Sequence, residues 1–236
     1  MTPRAMILAA GMGTRLRPLT DTTPKALLPF QGKTMLEHVV GHLKDHGIED
    51  VVINLHHLAD QVRNYLEKHQ FFGINFHISD ERKQLMDTGG GIVRARKYLE
   101  GHGPFIVHNV DIYSDTDLSA MLQHHLENDA LATLAVSDRK TSRNLLIDEE
   151  GLLCGWRNNS TGEEIIARQK PGLRPVAFSA MHVMDPEIFF HLDPGQPFSI
   201  TKAYLELAKK HRIKTFDHTG DTWTDMADVS NYSQDQ

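Results

Sequence analysis

Two glycines and two basic residues near the N-terminus carry the clearest chemical signal in the sequence. The segment LAAGMGTRLRPLTDTTPKALLP, residues 8–29, places Gly11 and Gly13 directly after a short apolar run, and Arg15 and Lys25 follow. Glycines at such a position let backbone N–H groups approach a ligand, and successive N–H groups form a concavity that binds anions. Guanidinium and ammonium groups both suit phosphate oxygens. The pattern predicts a phosphate-binding loop, with an ordinary glycine turn as the alternative.

A carboxylate in mid-chain could complement this loop. Phosphates that react need a hard cation to neutralise their charge, and Mg²⁺ prefers one or two carboxylates together with phosphate oxygens and water. Asp111 closes the apolar run PFIVHNV at 104–110, which is typical of a buried strand. The position predicts a metal ligand, and a turn-forming aspartate is the alternative.

A run of glycines in mid-chain is the third candidate. Asp87 and Thr88 precede Gly89, Gly90 and Gly91, and a helical pattern continues to about residue 99. Glycines let a flat ligand approach the backbone closely. The run predicts a binding turn that opens a helix, and a turn without a ligand is the alternative.

The segments between these residues alternate between strand and helix patterns. Strands are predicted at 4–10, 50–55, 74–79, 104–110 and 130–137, and helices at 35–43, 58–69 and 116–127. A further helix is predicted to follow the glycine turn at 89–91 and to reach about residue 99. This order implies an α/β fold with a Rossmann-like, mainly parallel sheet and helices on both faces. Ligands of such sheets bind beyond the carboxyl ends of the strands, where the glycine loop and Asp111 are expected to meet.

The pattern changes after residue 137. The segment NLLIDEEGLLCGW at 144–156 predicts an antiparallel hairpin that turns at Gly151, and Trp156 within it is expected to pack. A strand at 174–184 and a helix at 199–211, with Ser199 as its N-cap, follow. We therefore predict one domain over 1–236, with a core at 1–137 and a small mixed or antiparallel subregion within 138–236.

Composition narrows the classes of partner. The net charge of −6 gives no overall electrostatic reason to bind nucleic acid or an anionic membrane. The single cysteine, Cys154, cannot form an internal disulfide, and no run approaches the length of a membrane-spanning helix. The residues predict a packed protein of the cytoplasm that holds phosphate through local basic groups.

The N-terminal segment resembles a known family. Leu8 through Thr20, and then the run Pro24 to Pro29, match the double signature of the sugar-1-phosphate nucleotidyltransferases, which reads L-A-A-G-x-G-T-R-L-x-P-L-T followed by P-K-x-L-x-P. The resemblance implies that 1–137 is a nucleotide-binding core and that 138–236 holds the sugar and closes the site. It implies that the loop wraps a nucleoside triphosphate, with nucleotide contacts from Leu8, Ala9, Ala10, Gly11, Gly13 and Thr14.

The resemblance also implies roles for the charged residues. Arg15 would stabilise the leaving pyrophosphate, and Lys25 would bind phosphate near the reacting centre. Asp111 aligns with the first magnesium ligand, although Val110 replaces the usual preceding glycine. Trp223-Thr224-Asp225 resembles the W-x-D motif whose aspartate is the second magnesium ligand, which makes Asp225 the expected partner of Asp111.

Two further segments match the family. Gly89 and Gly90 correspond to the turn that reads the nucleobase through backbone groups. The stretch Ala177 to Val183 is similar to the strand that lines the sugar pocket, so Phe178 and Ser179 are expected to contact the sugar, and Ala180 replaces a usual glycine. This strand is most similar to members that transfer uridylyl or guanylyl groups, which favours UTP or GTP.

The resemblance implies one reaction. A phosphate oxygen of the sugar 1-phosphate would attack the α-phosphorus of the triphosphate in line, with Mg²⁺ assisting and pyrophosphate leaving. Two alternatives remain at this point: a cytidylyltransferase of the same fold that uses phosphocholine, and a catalytically silent relative that binds a nucleotide or nucleotide sugar and regulates a partner. Retention of Arg15, Lys25, Asp111 and Asp225 argues against the silent relative.

Overall fold

The structure is a computed structural model that describes residues 3–232, and its elements follow the predicted α/β order. The strands are β1 (Arg4–Leu8), β2 (Pro29–Phe30), β3 (Lys33–Thr34), β4 (Asp50–Leu55), β5 (Asn75–Asp80), β6 (Phe105–Asn109), β7 (Ile112–Ser114), β8 (Ala132–Ser137), β9 (Arg143–Ile147), β10 (Leu153–Asn158), β11 (Glu164–Ile166), β12 (Arg174–Met184), β13 (Ile213–Asp217) and β14 (Trp223–Asp225). The helices are α1 (Leu19–Thr22), α2 (Met35–Asp45), α3 (Ala59–Lys68), α4 (Asp87–Arg94), α5 (Arg96–Leu99), α6 (Leu118–Glu127), α7 (Ile200–Ala208) and α8 (Val229–Tyr232).

The central sheet is parallel where the site forms. Strand β1 lies between β4 and β6, β4 also pairs with β5, and all three pairings are parallel. Strand β12 then adds antiparallel to β6, and β8 and β13 continue the sheet beyond it. The carboxyl ends of β1, β4 and β6 therefore meet at one edge, as the sequence predicted.

Helices cover both faces of this sheet. Alternate residues of β1 point to opposite sides, so Ile7 contributes to a core with α2, α3 and α6, and Met6 to a second core with α4, α5 and α7. Helix α2 begins with a capping box in which Thr34 accepts from the Glu37 backbone and Glu37 accepts from the Thr34 backbone. The predicted doubly covered sheet is confirmed.

A smaller antiparallel group extends the sheet. Strands β9 and β10 form the predicted hairpin, with Gly151 in the left-handed conformation at its turn, and β11 pairs with β10. The first residues of β12 pair with β9, so the long β12 connects this group to the central sheet. Among residues 3–232, no helix is long and apolar enough to cross a membrane.

The glycine run departs from the predicted turn. Gly89, Gly90 and Gly91 are buried inside helix α4. A Cβ on Gly89 would lie 2.1 Å from the Phe198 ring, and one on Gly91 would lie 2.8 Å from the side chain of Glu81. These glycines are therefore needed for close packing rather than for a turn.

Two helix boundaries also differ from the prediction. The helical run that was expected to reach residue 99 breaks at Ala95 into α4 and α5. Ser199 precedes α7 as expected, but its side chain makes no capping bond, and Thr88 Oγ1 accepts from the Ile200 backbone instead. The cap of α7 thus comes from a distant segment, which sequence spacing does not reveal.

Strand β12 contains an irregularity that a substitution can test. Its register against β8 shifts between Phe178 and His182, and Ala180 within this bulge has a φ of 56°. A left-handed conformation costs an L-residue about 1–2 kcal/mol, whereas glycine in a strand costs about 0.5–1 kcal/mol relative to alanine. Ala180→Gly is therefore expected to raise the free energy of unfolding by up to about 1 kcal/mol in urea denaturation.

The control for this prediction is Ala177→Gly, three positions earlier in the same strand and fully buried. That change removes a methyl group from the core and relaxes no left-handed residue, so it is expected to destabilise the protein. Equal destabilisation by both substitutions would show that the backbone at Ala180 carries no strain.

Candidate active site

The loop after β1 is shaped by Gly13. Its φ is 61°, its carbonyl accepts from Thr20 Oγ1 at 2.8 Å, and a Cβ at this position would lie 2.6 Å from Thr20 Cγ2. Both the backbone conformation and the close contact require glycine here. At the start of the loop, the Ala9 N–H donates to Asn54 Oδ1 at 2.8 Å, which ties the end of β1 to the end of β4.

Four charged side chains meet below this loop. Lys25 Nζ lies 2.7 Å from Asp111 Oδ2, and Arg15 Nη1 lies 3.1 Å from Asp225 Oδ2. Arg15 Nη2 is also 3.8 Å from Asp111 Oδ2, so the guanidinium spans both carboxylates. The structure therefore brings together the four residues that the sequence marked for phosphate and metal binding.

A short ribbon explains why Asp111 and Asp225 are neighbours. Strands β7 and β14 pair antiparallel, with Asp225 opposite Ile112. The Met226 N–H donates to the Asp111 carbonyl at 2.7 Å. This ribbon was not predicted from the sequence, because strands of three residues are too short to show a periodic pattern.

The electrostatics keep Asp111 and Arg15 ionised. Burial alone would raise the pKa of Asp111, but the Lys25 ammonium and then Arg15 outweigh it and hold that pKa below its usual range. Burial lowers the pKa of Arg15, and the carboxylates of Asp225 and Asp111 raise it above the ordinary value. Asp111 and Arg15 therefore stay charged together near neutral pH.

The cluster fits a divalent cation. Asp111 Oδ1 is buried and has no hydrogen-bond partner among the residues that the structure describes, so an oxygen ligand is available there. Asp225 supplies a second carboxylate, whose Oδ1 accepts from the Ala227 N–H at 3.0 Å. No group of three or more His, Cys, Asp or Glu suited to a metal occurs within 3–232, and Mg²⁺ commonly uses one or two carboxylates plus substrate phosphates.

A cavity of about 160 Å³ opens beside the loop. Its lining combines the ends of three parallel strands with the start of α4: Leu8, Ala10, Gly11, Lys25, Asn54, Leu85, Asp87, Thr88 and Asn109. Gly89 and Gly90 do not line it. The Gly89 N–H instead donates to the Phe198 carbonyl at 2.9 Å, so Asp87 and Thr88 present the helix start to the cavity.

Two buried polar residues support this cavity. Glu81 is fully buried, and its carboxylate accepts from Asn54 Nδ2 at 2.7 Å and from the Met86 N–H at 3.1 Å. Together with the bond from Ala9 to Asn54, this chain links β1, β4 and the segment before α4. Neither residue was predicted from the sequence, although the polar Asn54 within the apolar run of β4 was a visible signal.

A second cavity, of about 490 Å³, lies between the β9–β11 strands and α7. Phe178 and Trp156 line it, and Trp156 also packs against the hydrophobic core, as predicted. Ser179 does not line it, because this residue is fully buried and its Oγ lies 2.7 Å from His218 Nε2. Of the two residues predicted to contact the sugar, only Phe178 faces an open cavity.

Comparison with known proteins gives concordant matches. The profile of the family "Nucleotidyl transferase" matches residues 4–145. The chain is 32% identical over 221 residues to the N-acetylmuramate alpha-1-phosphate uridylyltransferase of Caulobacter vibrioides, covering 89% of this chain and 86% of that protein. It is 30% identical over 239 residues to the protein of the same name from Neisseria meningitidis serogroup B, covering 99% and 96%.

Solved structures agree in fold. The crystal structure of HddC from Yersinia pseudotuberculosis complexed with GMP-PN aligns with a TM-score of 0.78 at 22% identity, covering 99% of this chain and 98% of that one.

Proposed function

The chain belongs to the nucleotidyl transferase family, and from this premise we propose that it joins a nucleoside triphosphate to a sugar 1-phosphate, releasing pyrophosphate and forming a nucleoside diphosphate sugar. One observation carries the proposal: Lys25, Arg15, Asp111 and Asp225 converge beneath a glycine loop at the carboxyl ends of parallel strands. UTP is the favoured triphosphate, because both relatives named above are uridylyltransferases, and GTP is the second candidate.

The reaction needs no protein nucleophile. A phosphate oxygen of the sugar 1-phosphate, already ionised near neutral pH, attacks the α-phosphorus, and the bond from that phosphorus to the oxygen bridging to the β-phosphate breaks. The electron pair leaves with pyrophosphate. No proton has to be removed, so the chain's task is to position the reactants and to offset their charge.

The side chains of the cluster divide this task. The Arg15 side chain is 61% exposed and extends from the loop. Its planar guanidinium is therefore accessible to donate hydrogen bonds to two oxygens of the leaving pyrophosphate. Lys25 is held between the loop and Asp111, which suits a fixed point charge beside the α-phosphate. Asp111 and Asp225 would hold Mg²⁺, which when bound would neutralise phosphate charge during the transfer.

The two cavities suggest where the substrates bind. We assign the nucleotide to the smaller cavity beside Gly11 and Lys25, and the sugar to the larger one beside Phe178 and Trp156. The two cavities are connected through neighbouring residues. Ser199 lines the larger cavity, and the preceding residue, Phe198, packs against Gly89. Gly89 in turn follows Thr88, which lines the smaller cavity. The proposed location is the cytoplasm, where the single buried Cys154 stays reduced.

A substrate panel tests the proposal. The protein is incubated with Mg²⁺, each of the four ribonucleoside triphosphates and a set of phosphate monoesters that includes N-acetylmuramate 1-phosphate, mannose 1-phosphate and phosphocholine, and pyrophosphate is measured. We expect release with UTP or GTP and a sugar 1-phosphate. Release only with CTP and phosphocholine would replace the proposed reaction, and nucleotide binding without release would favour a silent relative.

Substitutions of Arg15 and Lys25 are expected to change different kinetic constants. Arg15→Lys keeps the charge but loses the planar fork, so turnover and triphosphate affinity should both fall. Lys25→Ala should chiefly lower turnover or sugar 1-phosphate affinity, by about 2–4 kcal/mol if it resembles a removed transition-state donor. Steady-state kinetics with each substrate varied in turn measure both effects.

Matched controls lie on the same stretch of chain. Arg17→Lys changes an exposed arginine that pairs with Asp21, and Lys33→Ala changes an exposed lysine on β3, so neither should alter the kinetics. Unchanged constants in Arg15→Lys or Lys25→Ala would remove that residue from the site.

A further inference from the structure

Arg139 is a cation beside the site that the roles above leave unused. It lies two residues past the end of β8, and its guanidinium carbon lies 3.7 Å from the centre of the Trp223 ring. Its Nη2 donates to the Phe178 carbonyl at 2.5 Å. Trp223 is itself fixed by its Nε1, which donates to the Ser179 carbonyl at 3.0 Å. Stacking and hydrogen bonding therefore hold this guanidinium in one place.

The position of Arg139 connects the two halves of the proposed site. Trp223 and Asp225 are two apart on strand β14, so their side chains lie on the same side of it, roughly 7 Å apart along the strand. Arg139 covers the Trp223 ring and thus flanks the Asp225 carboxylate. Phe178, whose carbonyl accepts from Arg139, lines the 490 Å³ cavity, and so does Thr141, two residues after Arg139. The guanidinium thus contacts both Trp223, two residues before Asp225, and Phe178, which lines that cavity.

The charge of Arg139 is incompletely balanced. Among residues 3–232, no carboxylate oxygen lies within 4.0 Å of an Arg139 nitrogen, the distance limit for an ion pair. The Nε atom of Arg139 is buried and has no hydrogen-bond partner among these residues. Burial lowers the pKa of Arg139, and the more distant charge of Asp225 offsets this only in part. A half-buried guanidinium without an ion-pair partner is unfavourable, and an anionic ligand would relieve that cost.

We propose that Arg139 binds the phosphate of the sugar 1-phosphate and holds it between the Asp225 carboxylate and the cavity lined by Phe178. This inference rests on the proposed function, because the proposed sugar 1-phosphate has a phosphate that Arg139 can bind and a sugar that the neighbouring cavity can hold. A purely structural role is the competing explanation, in which Arg139 braces Trp223 and so fixes Asp225.

Equilibrium binding separates the two explanations without relying on turnover. The triphosphate position is first filled with Mg²⁺ and α,β-methylene-UTP, or the guanine analogue, which cannot release pyrophosphate. Inorganic phosphate and mannose 1-phosphate are then titrated by calorimetry into the wild type, Arg139→Gln, Arg139→Lys and the control Arg157→Gln. Arg157 is an exposed arginine paired with Glu164 at 2.7 Å, so its loss should leave phosphate binding unchanged.

Because Arg139 would form a charge-assisted hydrogen bond with the phosphate, Arg139→Gln should weaken the binding of both phosphate probes about 10- to 100-fold. Arg139→Lys should bind the probes more tightly than Arg139→Gln and less tightly than the wild type. Both variants should retain the wild-type affinity for the triphosphate analogue. Wild-type phosphate affinity in Arg139→Gln, equal loss of both ligands, or no phosphate binding by the wild type would each overturn the inference. If phosphate binding depends on Arg139 but the substrate panel yields no pyrophosphate, the proposed reaction fails and Arg139 remains a phosphate-binding residue.

Discussion

Asp111→Asn is expected to lower turnover on the order of 10³-fold or more, which corresponds to about 4 kcal/mol of transition-state stabilisation. The substitution keeps the shape of the side chain but removes the charge that faces Lys25 at 2.7 Å and the proposed metal ion. It also leaves a largely buried ammonium with less compensation, so some loss of folding stability should accompany it. Turnover is measured on protein shown to be folded by circular dichroism and urea denaturation.

The matched control is Asp148→Asn. Asp148 is also a buried aspartate, but it lies in the β9–β10 turn, where it accepts from the Leu152 N–H at 2.9 Å. Its change should affect stability and leave turnover close to normal. Asp225→Asn should resemble Asp111→Asn, and excess chelator should abolish wild-type activity. Full activity of both site variants, or of the wild type in excess chelator, would show that Asp111 and Asp225 do not hold a metal ion needed for the reaction.

Mild acid is expected to destabilise the protein by several kcal/mol. Burial lowers the pKa of His108 and His182 to about 3 and that of His125 to about 4, whereas an unfolded histidine titrates near 6.5. Because these pKa values are lower in the folded state, the unfolded chain binds more protons than the folded protein between about pH 6.5 and pH 4. The contribution of these histidines to the free energy of unfolding is therefore fully present above pH 6.5 and is lost as the pH falls towards 4. Each histidine contributes a slope of up to about 1.4 kcal/mol per pH unit in that window.

Urea denaturation between pH 7.5 and 5 measures this effect. His125→Gln, which can keep a hydrogen bond to Thr133, should remove about a third of the slope from these three residues. The same series with His102→Asn, an exposed histidine, should match the wild type. A free energy of unfolding that is equal at pH 7 and pH 5 would contradict the buried, neutral state of these side chains.

Local patterns predicted most of the framework. Strand β4 was predicted with its observed bounds, and α2 and α6 were predicted to within about two residues, because their apolar residues recur at the spacing of one buried face. The glycines after β1 and the order of strands and helices then located the crevice. The family resemblance is confirmed by the match of residues 4–145.

What sequence could not predict depends on contacts between distant segments. The run at Gly89 was predicted to be a turn because nothing local reveals that Phe198 packs against it. The cap of α7 comes from Thr88 rather than Ser199 for the same reason. The ribbon of β7 and β14, which makes Asp111 and Asp225 neighbours, became visible only once the chain was folded. The individual roles of the site residues stay predictions.

The most direct test of the central claim is the stoichiometry of a single reaction. Wild-type protein, Mg²⁺, UTP labelled at the α-phosphate and N-acetylmuramate 1-phosphate are mixed, and pyrophosphate and labelled uridine diphosphate sugar are quantified together, with GTP in a parallel series. We predict equal amounts of both products, strict dependence on the sugar 1-phosphate, and loss of both products in Asp111→Asn. Pyrophosphate released equally without the sugar 1-phosphate, or labelled nucleotide sugar formed at wild-type rate by Asp111→Asn, would contradict it.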